Sequence, residues 1–563
     1  MKRIFLSCVL LLTVYCLLLT VAYAGEIPAK PKIPNTPEAI EAGKKIYFKR
    51  CSFCHGLTGG GDGPVAELLS PRPRNFQTGL FKFRSTESGA LPIDEDMFFI
   101  VSHGIKGTAM ESFDIDKKKS GLTEDERWQV IYFIQTLSDM WKDDEEFKNS
   151  KDPDDQNDYR YNKIIKIGEP PPFSKEIVEK GKEVYKNSKC WECHGMDGRG
   201  DGKSAPTLKD DWKFSIRPRN LTKPWTYKGG NDVKDIFFKF TTGLNGTPMP
   251  SFKLTVPDED RWALSNYVKS LHYQPKDNII LKSKLIEGDI PTDPNDKRWN
   301  ETDNIDVRLT GQVLVKPRWQ NFSIDMVTVR SFYNDKEIGF QLTWDDPFKD
   351  IVHEGSENMH QTYTDAPTQN GIIKTYVEIY SPDYKPNNFK DATALKLRDA
   401  IALQFPTKFE EGTEKPHFLN GSSGKPVNLW YWRADYNEDT SKGKPVIELT
   451  STDFKNSFST HPDNSQMVDG KAVFKDGQWK LVMKRSLNTD DKGDIQFIKG
   501  KFIPMAINAW DGSNGESGMS KSVSSWHYVI LETPVPSKVY LYTLLSIIAV
   551  GVVEIVLVKK TKT

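Results

Sequence analysis

The order of apolar and polar positions divides this chain of 563 residues into segments with different periods. Met1-Lys2-Arg3 precedes an apolar run from Ile4 to Val21 and then Ala22-Tyr23-Ala24. These are the charged, apolar and small-residue zones of an export signal over 1–24, with cleavage expected after Ala24. Two helical stretches follow, 25–140 and 173–275. In the first, Thr36-Pro37 offers an N-cap and an N1 proline ahead of Gly43 and Ile46-Tyr47, and Thr123 with Glu126 forms a capping box before Trp128, Phe133 and Leu137. In the second, Gly181, Val184-Tyr185, Trp262, Tyr267 and Leu271 occupy the same places. From Ile305 to Leu531 the period shortens to two, in short runs rich in valine, isoleucine and aromatics, with an Asp476-Gly477 hairpin turn. That pattern predicts an all-β sandwich or barrel of roughly ten strands over 303–533. Charged, proline-containing stretches at 141–172 and 276–302 read as linkers.

The last segment, Val539 to Val558, is almost uninterruptedly apolar and is followed by Lys559, Lys560 and Lys562. A helix of that length covers about 30 Å of hydrocarbon, and the positive flank places the tail 559–563 in the cytoplasm. The expectation is therefore a multidomain, single-pass protein of the inner membrane. It has two small all-α domains, a β-sandwich and one transmembrane helix over 539–558, with the bulk on the periplasmic side. Seventy-seven basic residues balance seventy-seven acidic ones, so nucleic acid is a poor partner and the apolar helix is the expected membrane contact.

Of six cysteines, Cys8 and Cys16 leave with the signal. The other four form Cys51-Ser52-Phe53-Cys54-His55 and Cys190-Trp191-Glu192-Cys193-His194. This is the C-x-x-C-H spacing of covalent haem attachment: two thiols on one helical turn meet the two vinyl groups, and the next histidine reaches the iron. A disulfide, a redox dithiol and a zinc site are the rival readings. The duplication extends well beyond the motif. Gly61-Asp62-Gly63 recurs as Gly200-Asp201-Gly202, and Gly107-Thr108-Ala109-Met110-Glu111-Ser112-Phe113 as Gly246-Thr247-Pro248-Met249-Pro250-Ser251-Phe252. Met110 and Met249 thus stand at the same distance from His55 and His194, which makes them the expected sixth ligands. A soft thioether beside histidine suits a high-potential relay. His103 is a rival to Met110, but the second copy has Thr242 at that place. Arg72-Pro73-Arg74-Asn75 recurs as Arg217-Pro218-Arg219-Asn220, a loop suited to haem propionates or to solvent. The two helical stretches resemble small cytochrome c domains, with two haem c expected.

Pro416-His417-Phe418-Leu419-Asn420-Gly421, Pro426-Val427-Asn428-Leu429-Trp430-Tyr431-Trp432, Trp510 to Glu516 and Lys521 to Trp526 resemble the haem-binding γ subunit of ethylbenzene dehydrogenase-type molybdenum enzymes, a family that includes nitrite oxidoreductase. The resemblance implies a β-sandwich with one b haem between a lysine and a methionine, and Lys521 matches the lysine. The methionine falls at Asn420, a departure that leaves three outcomes open: the haem keeps a single protein ligand, uses a neighbour such as His417, or is absent. It further implies an iron-sulfur β subunit and a molybdopterin α subunit as partners, with a soluble cytochrome c or terminal oxidase beyond. The implied role is electron transfer without a catalytic centre in this chain. Two other readings stay open: a free-standing anchored dihaem cytochrome, and an envelope protein whose Trp430 and Trp432 stack on a glycan.

Overall fold

The computed structural model describes residues 33–561 except 67–68, 70, 142–158, 316–317, 355–395, 409–411, 413, 453–457 and 534–536. The expected export signal and most of the first linker lie outside the described residues. The first module is built from α1 (Pro37–Arg50), α2 (Ser52–His55), α3 (Asp94–His103) and α4 (Glu124–Gln135). The second repeats it with α5 (Lys175–Asn187), α6 (Trp191–His194), α7 (Val233–Thr242) and α8 (Asp258–Ser270). The capping box forms as the sequence predicts: Thr123 Oγ1 accepts from Glu126 N, and Glu126 returns a carboxylate oxygen to Thr123 N.

In each module the first and last helices cross at a glycine. A Cβ on Gly43 would lie 1.9 Å from the Gln129 carbonyl oxygen, and one on Gly181 would lie 2.0 Å from that of Ala263. No side chain fits at either crossing. Gly181→Val is therefore expected to destabilise the second module by about 3 kcal/mol. The measurement is a thermal melt together with haem incorporated at Cys190 and Cys193, both of which should fall while the first module keeps its haem.

The remainder is β: β1 (Ile280–Leu285), β2 (Asn304–Arg308), β3 (Thr310–Gly311), β4 (Met326–Tyr333), β5 (Glu337–Asp345), β6 (Ala400–Pro406), β7 (Val427–Arg433), β8 (Val446–Ser451), β9 (Phe458–Thr460), β10 (Asp469–Lys475), β11 (Gln478–Ser486), β12 (Ile503–Trp510), β13 (Ser522–Val523) and β14 (His527–Leu531). The ladder runs β10-β11-β5-β4-β1-β14-β12-β6-β7-β8-β9, with β2 on β4, β13 on β12 and β3 on β13. It folds over on itself, because aromatics from the two halves meet inside. Phe340 of β5 lies against Phe405 of β6 and Trp430 of β7, and Trp344 of β5 against Trp432 of β7.

The segment 276–302, expected to be a linker, supplies β1 to this sheet, paired parallel with both β4 and β14. The pattern concealed it because only Leu281 and Ser283 are buried in an otherwise exposed strand. The first linker also packs where it is described. Arg160 Nη1 donates to Asp94 Oδ1 at 2.8 Å and to the Pro92 carbonyl, and Tyr161 donates to Glu95.

At the C-terminus α9 (Ser537–Thr561) has 25 residues, with Leu544, Ile547 and Val550 exposed. Among the described residues no helix is long and apolar enough to cross a membrane. The expected transmembrane segment over 539–558 is thus observed as a helix, while its spanning role is not supplied by the fold.

Candidate haem sites

Short helices α2 and α6 present the two C-x-x-C-H motifs in the same geometry. All four cysteines are free thiols, so neither motif is closed as a disulfide. Cys51 and Met110 pack against one hydrophobic cluster, and Cys190, Trp191 and Met249 against its counterpart. Each methionine is presented by the same loop: Thr108 Oγ1 accepts from Met110 N and Thr247 Oγ1 from Met249 N. Ile105 N and Leu244 N donate back to the two methionine carbonyls. His103 bonds instead to the carbonyl of Phe99 within its own helix and stacks on the Phe99 ring.

The histidines are held by the repeated arginine loops. His55 Nδ1 lies 3.0 Å from the Arg74 carbonyl, and His194 Nδ1 lies 2.9 Å from the Arg219 carbonyl. A carbonyl only accepts, so each Nδ1 carries the proton and each Nε2 keeps its lone pair for a metal. Burial pushes the His55 imidazole down to about 4 and lowers His194 as well, so both rings are neutral, the form that ligates iron. The sequence named the histidines and the arginine loop; the carbonyl bond joining them shows only in three dimensions.

Positive charge gathers beside these loops, between the modules. Arg74 Nη1 is buried without a hydrogen-bond partner. Burial, and then the neighbouring Arg74 and Arg219, push Lys82 down to about 8. Lys228 falls to about 7 through burial, Arg219 and Lys82. Arg219 is exposed, and its pKa is lowered chiefly by desolvation. Asp210, Asp211 and Asp325 face these four cations in part, and the two carboxylates of a haem fit the remaining positive charge. Thiols, neutral imidazole, thioether and cations together form a donor set that fits haem c in both modules.

The modules dock in series. Arg72 lies 4.0 Å over the Phe214 ring and Arg74 4.6 Å over Trp212, so the first loop rests on the second module. Arg84 Nη2 donates to the Thr242 carbonyl at 2.8 Å across the same junction. The second loop rests on the β domain. Arg217 Nη1 meets Asp511 Oδ2 at 3.0 Å and Arg217 Nη2 meets Ser513 Oγ at 2.7 Å, while Asn220 Nδ2 donates to Asp345 Oδ2. Beside them Lys223 is buried between Asp325 and Asp345, at 2.7 and 3.1 Å.

In the β domain Lys521 is fully buried, and its Nζ donates to Asn420 Oδ1 at 2.9 Å. Asn420 Nδ2 approaches Met519 Sδ at 3.6 Å, and Leu419, Met519, Val523, Phe418 and Val315 form the surrounding apolar cluster. Burial alone pushes the Lys521 amine down to about 7. An amine whose proton is loosened in this way fits an iron donor, although the bond to Asn420 and the Trp510 ring 5.2 Å beneath Nζ also hold it in the pocket. Asn420 supplies no thioether. It sits at φ 59°, a left-handed conformation that asparagine tolerates, at the end of the His417–Asn420 turn. His417 Nδ1 accepts from Leu419 N inside that turn. Trp430 and Trp432 are both completely buried, so they pack in the core, and the alternative of a glycan-stacking platform has no exposed face to use.

Comparison with known proteins matches residues 40–138 and 178–272 to the cytochrome c family and residues 296–458 to the ethylbenzene dehydrogenase family. A respiratory nitrate reductase haem subunit from Haloferax mediterranei, itself assigned provisionally, is 28% identical over 293 residues, covering 51% of this chain and 87% of that protein. The dimethylsulfide dehydrogenase γ subunit of Rhodovulum sulfidophilum is 28% identical over 138 residues, covering 23% of this chain and 46% of its own length. Among solved structures, a chain of a Kuenenia stuttgartiensis reducing HAO-like protein complex is 38% identical, covering 43% of this chain and all of that one, at a TM-score of 0.37. The chain therefore joins two cytochrome c domains to an ethylbenzene dehydrogenase-type γ-subunit domain.

Proposed function

We propose that this chain is the haem-bearing electron-transfer subunit of an exported molybdenum oxidoreductase of the nitrite oxidoreductase type. In that role it transforms no substrate and passes electrons between an iron-sulfur subunit and a cytochrome c or terminal oxidase. The observation that carries this reading is the serial docking of the two histidine-holding loops. The loop whose carbonyl orients His55 lies on the second module, and the loop whose carbonyl orients His194 lies on the β domain at Asp511 and Ser513, ten or fewer residues before Lys521.

A haem held at each C-x-x-C-H motif supplies a one-electron couple. The chain's own residues tune and align it. Cys51 with Cys54 and Cys190 with Cys193 fix position covalently, His55 and His194 present Nε2, and Met110 and Met249 present thioether sulfur. Arg74, Lys82, Arg219 and Lys228 meet carboxylates, and their positive charge favours the electron-rich state. Lys521 is the donor for a b haem in the β domain. The charged, apolar and small-residue zones over 1–24 favour a periplasmic location, and the apolar run at 539–558 is the candidate contact with the inner membrane. The names of the nitrate reductase and dimethylsulfide dehydrogenase relatives support molybdopterin and iron-sulfur partners.

A second reading is an anchored dihaem cytochrome whose β domain is a spacer, favoured by Asn420 at the methionine place. Affinity purification of the tagged full-length chain from solubilised native membranes separates the two. Molybdenum and iron-sulfur polypeptides are expected in stoichiometric yield. An oxidase without molybdenum would establish the second reading.

A further inference from the structure

Away from the haem crevices, the β domain buries three carboxylates at one point. Asp346 directly follows β5, Asp399 directly precedes β6 and Asp511 directly follows β12. The pairing of β6 with β12 sets Ala400 opposite Trp510, which brings Asp399 and Asp511 together. β5 brings Asp346 from the other half of the sandwich. One carboxylate oxygen from each of the three lies within 4.8 Å of the others, and the residues are 1%, 0% and 0% exposed.

Most of these oxygens have donors. Asp399 Oδ1 accepts from Gly512 N at 3.0 Å, and Oδ2 accepts from Asp350 N and Trp479 Nε1. Asp511 Oδ2 accepts from Ser323 Oγ and Arg217 Nη1, and Oδ1 accepts from Ser513 Oγ and Asn514 N. Asp346 is different. One of its oxygens accepts from Phe348 N at 3.1 Å, but Oδ2 is buried with no partner. An orphaned carboxylate oxygen buried among other carboxylates calls for a proton or a cation. Arg217 supplies one positive charge, on Asp511, and Glu516 adds a fourth buried carboxylate that bonds Asp511 N at 3.0 Å.

We propose that Asp346, Asp399 and Asp511 bind a calcium ion that ties the ends of β5, β6 and β12 together beneath the loop on which the second cytochrome module docks. Oxygen-only donors select a hard cation. Ligands about 2.3 to 2.6 Å from calcium stand up to about 5 Å apart across the ion, whereas a magnesium octahedron spans about 4.2 Å. The three oxygens here lie within 4.8 Å of one another, which calcium's longer bonds and flexible coordination accommodate. The ion fixes the Asp511-Gly512-Ser513-Asn514 turn, which receives Arg217, so it acts on how firmly the second module is held.

The test uses the full-length haem-loaded protein purified without chelator. Elemental analysis is expected to give one calcium per chain. Exchange into EGTA should lower the Tm of the β domain by about 5 °C, with recovery on adding calcium. Terbium should replace the ion and emit on tryptophan excitation, because Trp479 bonds to Asp399. Asp346→Asn should weaken binding at least tenfold, and if that variant does not fold, the calcium content of the wild type decides alone. No bound calcium together with no terbium emission in the wild type would mean that the carboxylates share protons instead, and would overturn the proposal. Calcium retained undiminished in a folded Asp346→Asn protein would overturn its location, and stoichiometric magnesium or zinc would overturn the ion.

Discussion

Replacing Cys190 and Cys193 together by alanine is expected to halve the covalently bound haem, from two per chain to one, with a mass loss of one haem. The physical ground is that the two modules have separate cores. Tyr185, Leu221, Ile236, Leu264 and Val268 form one, and Tyr47, Met97, Trp128, Ile131 and Ile134 form the other. A lost attachment in the second module leaves Cys51, Cys54, His55 and Met110 in place. The reciprocal pair, Cys51→Ala with Cys54→Ala, should give the same halving. Pyridine haemochrome absorbance per mole of protein and intact mass spectrometry read both. Because the four thiols are free in the structure, an unchanged haem count would leave only non-haem roles for them, and the appearance of a disulfide or stoichiometric zinc in the wild type would point to which. The sixth ligand is checked on the same material: Met249→Ala should remove sulfur ligation from one haem and lower its potential, while His103→Ala should leave both spectra unchanged.

How much of this was legible in the sequence depends on how local each signal is. The C-x-x-C-H motifs, the glycines at the helix crossings and the Thr123 capping box are encoded within a few residues, and each has a local geometric reason. The methionine loops needed the internal repeat, since a lone methionine is ordinarily packing. Beyond that range the pattern fails in specific ways. β1 was read as linker because a strand with two buried positions has too little alternation to register. Trp430 and Trp432 share one face in either reading, and only the opposing Trp344 shows that the face points inward. The Nδ1 bonds of His55 and His194 go to backbone carbonyls, which carry no side-chain signature. Asp346, Asp399 and Asp511 are dispersed along the chain and meet only through strand pairing, so no spacing rule would have gathered them. The apolar run at 539–558 marked the helix, but among the described residues no helix is long and apolar enough to cross a membrane, so the run alone overstated the span.

Acid-acetone extraction of the native protein is expected to release about one non-covalent haem per chain while two remain attached, and Lys521→Ala should abolish the extractable one without changing the covalent pair. Lys521 is fully buried, with Asn420 Oδ1 as its acceptor, and desolvation takes its amine to about 7. Burying a lysine in this way is a standing cost, and a metal bond to the unprotonated amine is what would offset it. For an iron to take that amine, the 2.9 Å bond to Asn420 must open, after which Asn420 offers a weak oxygen where the γ-subunit resemblance places thioether sulfur. The extractable haem should therefore be high-spin in its ferric form, with one strong protein donor. Asn420→Met should add the missing sulfur, turn the spectrum low-spin and raise the potential of that haem alone. Met519, already near Asn420, is the internal control: if it serves as the sulfur donor instead, the wild type will be low-spin and Met519→Leu will make it high-spin. Recovery of two covalent haems and nothing extractable would assign the β domain to docking. Electron entry would then fall to the second module, through the face that Arg217, Asn220 and Lys223 hold against the sandwich.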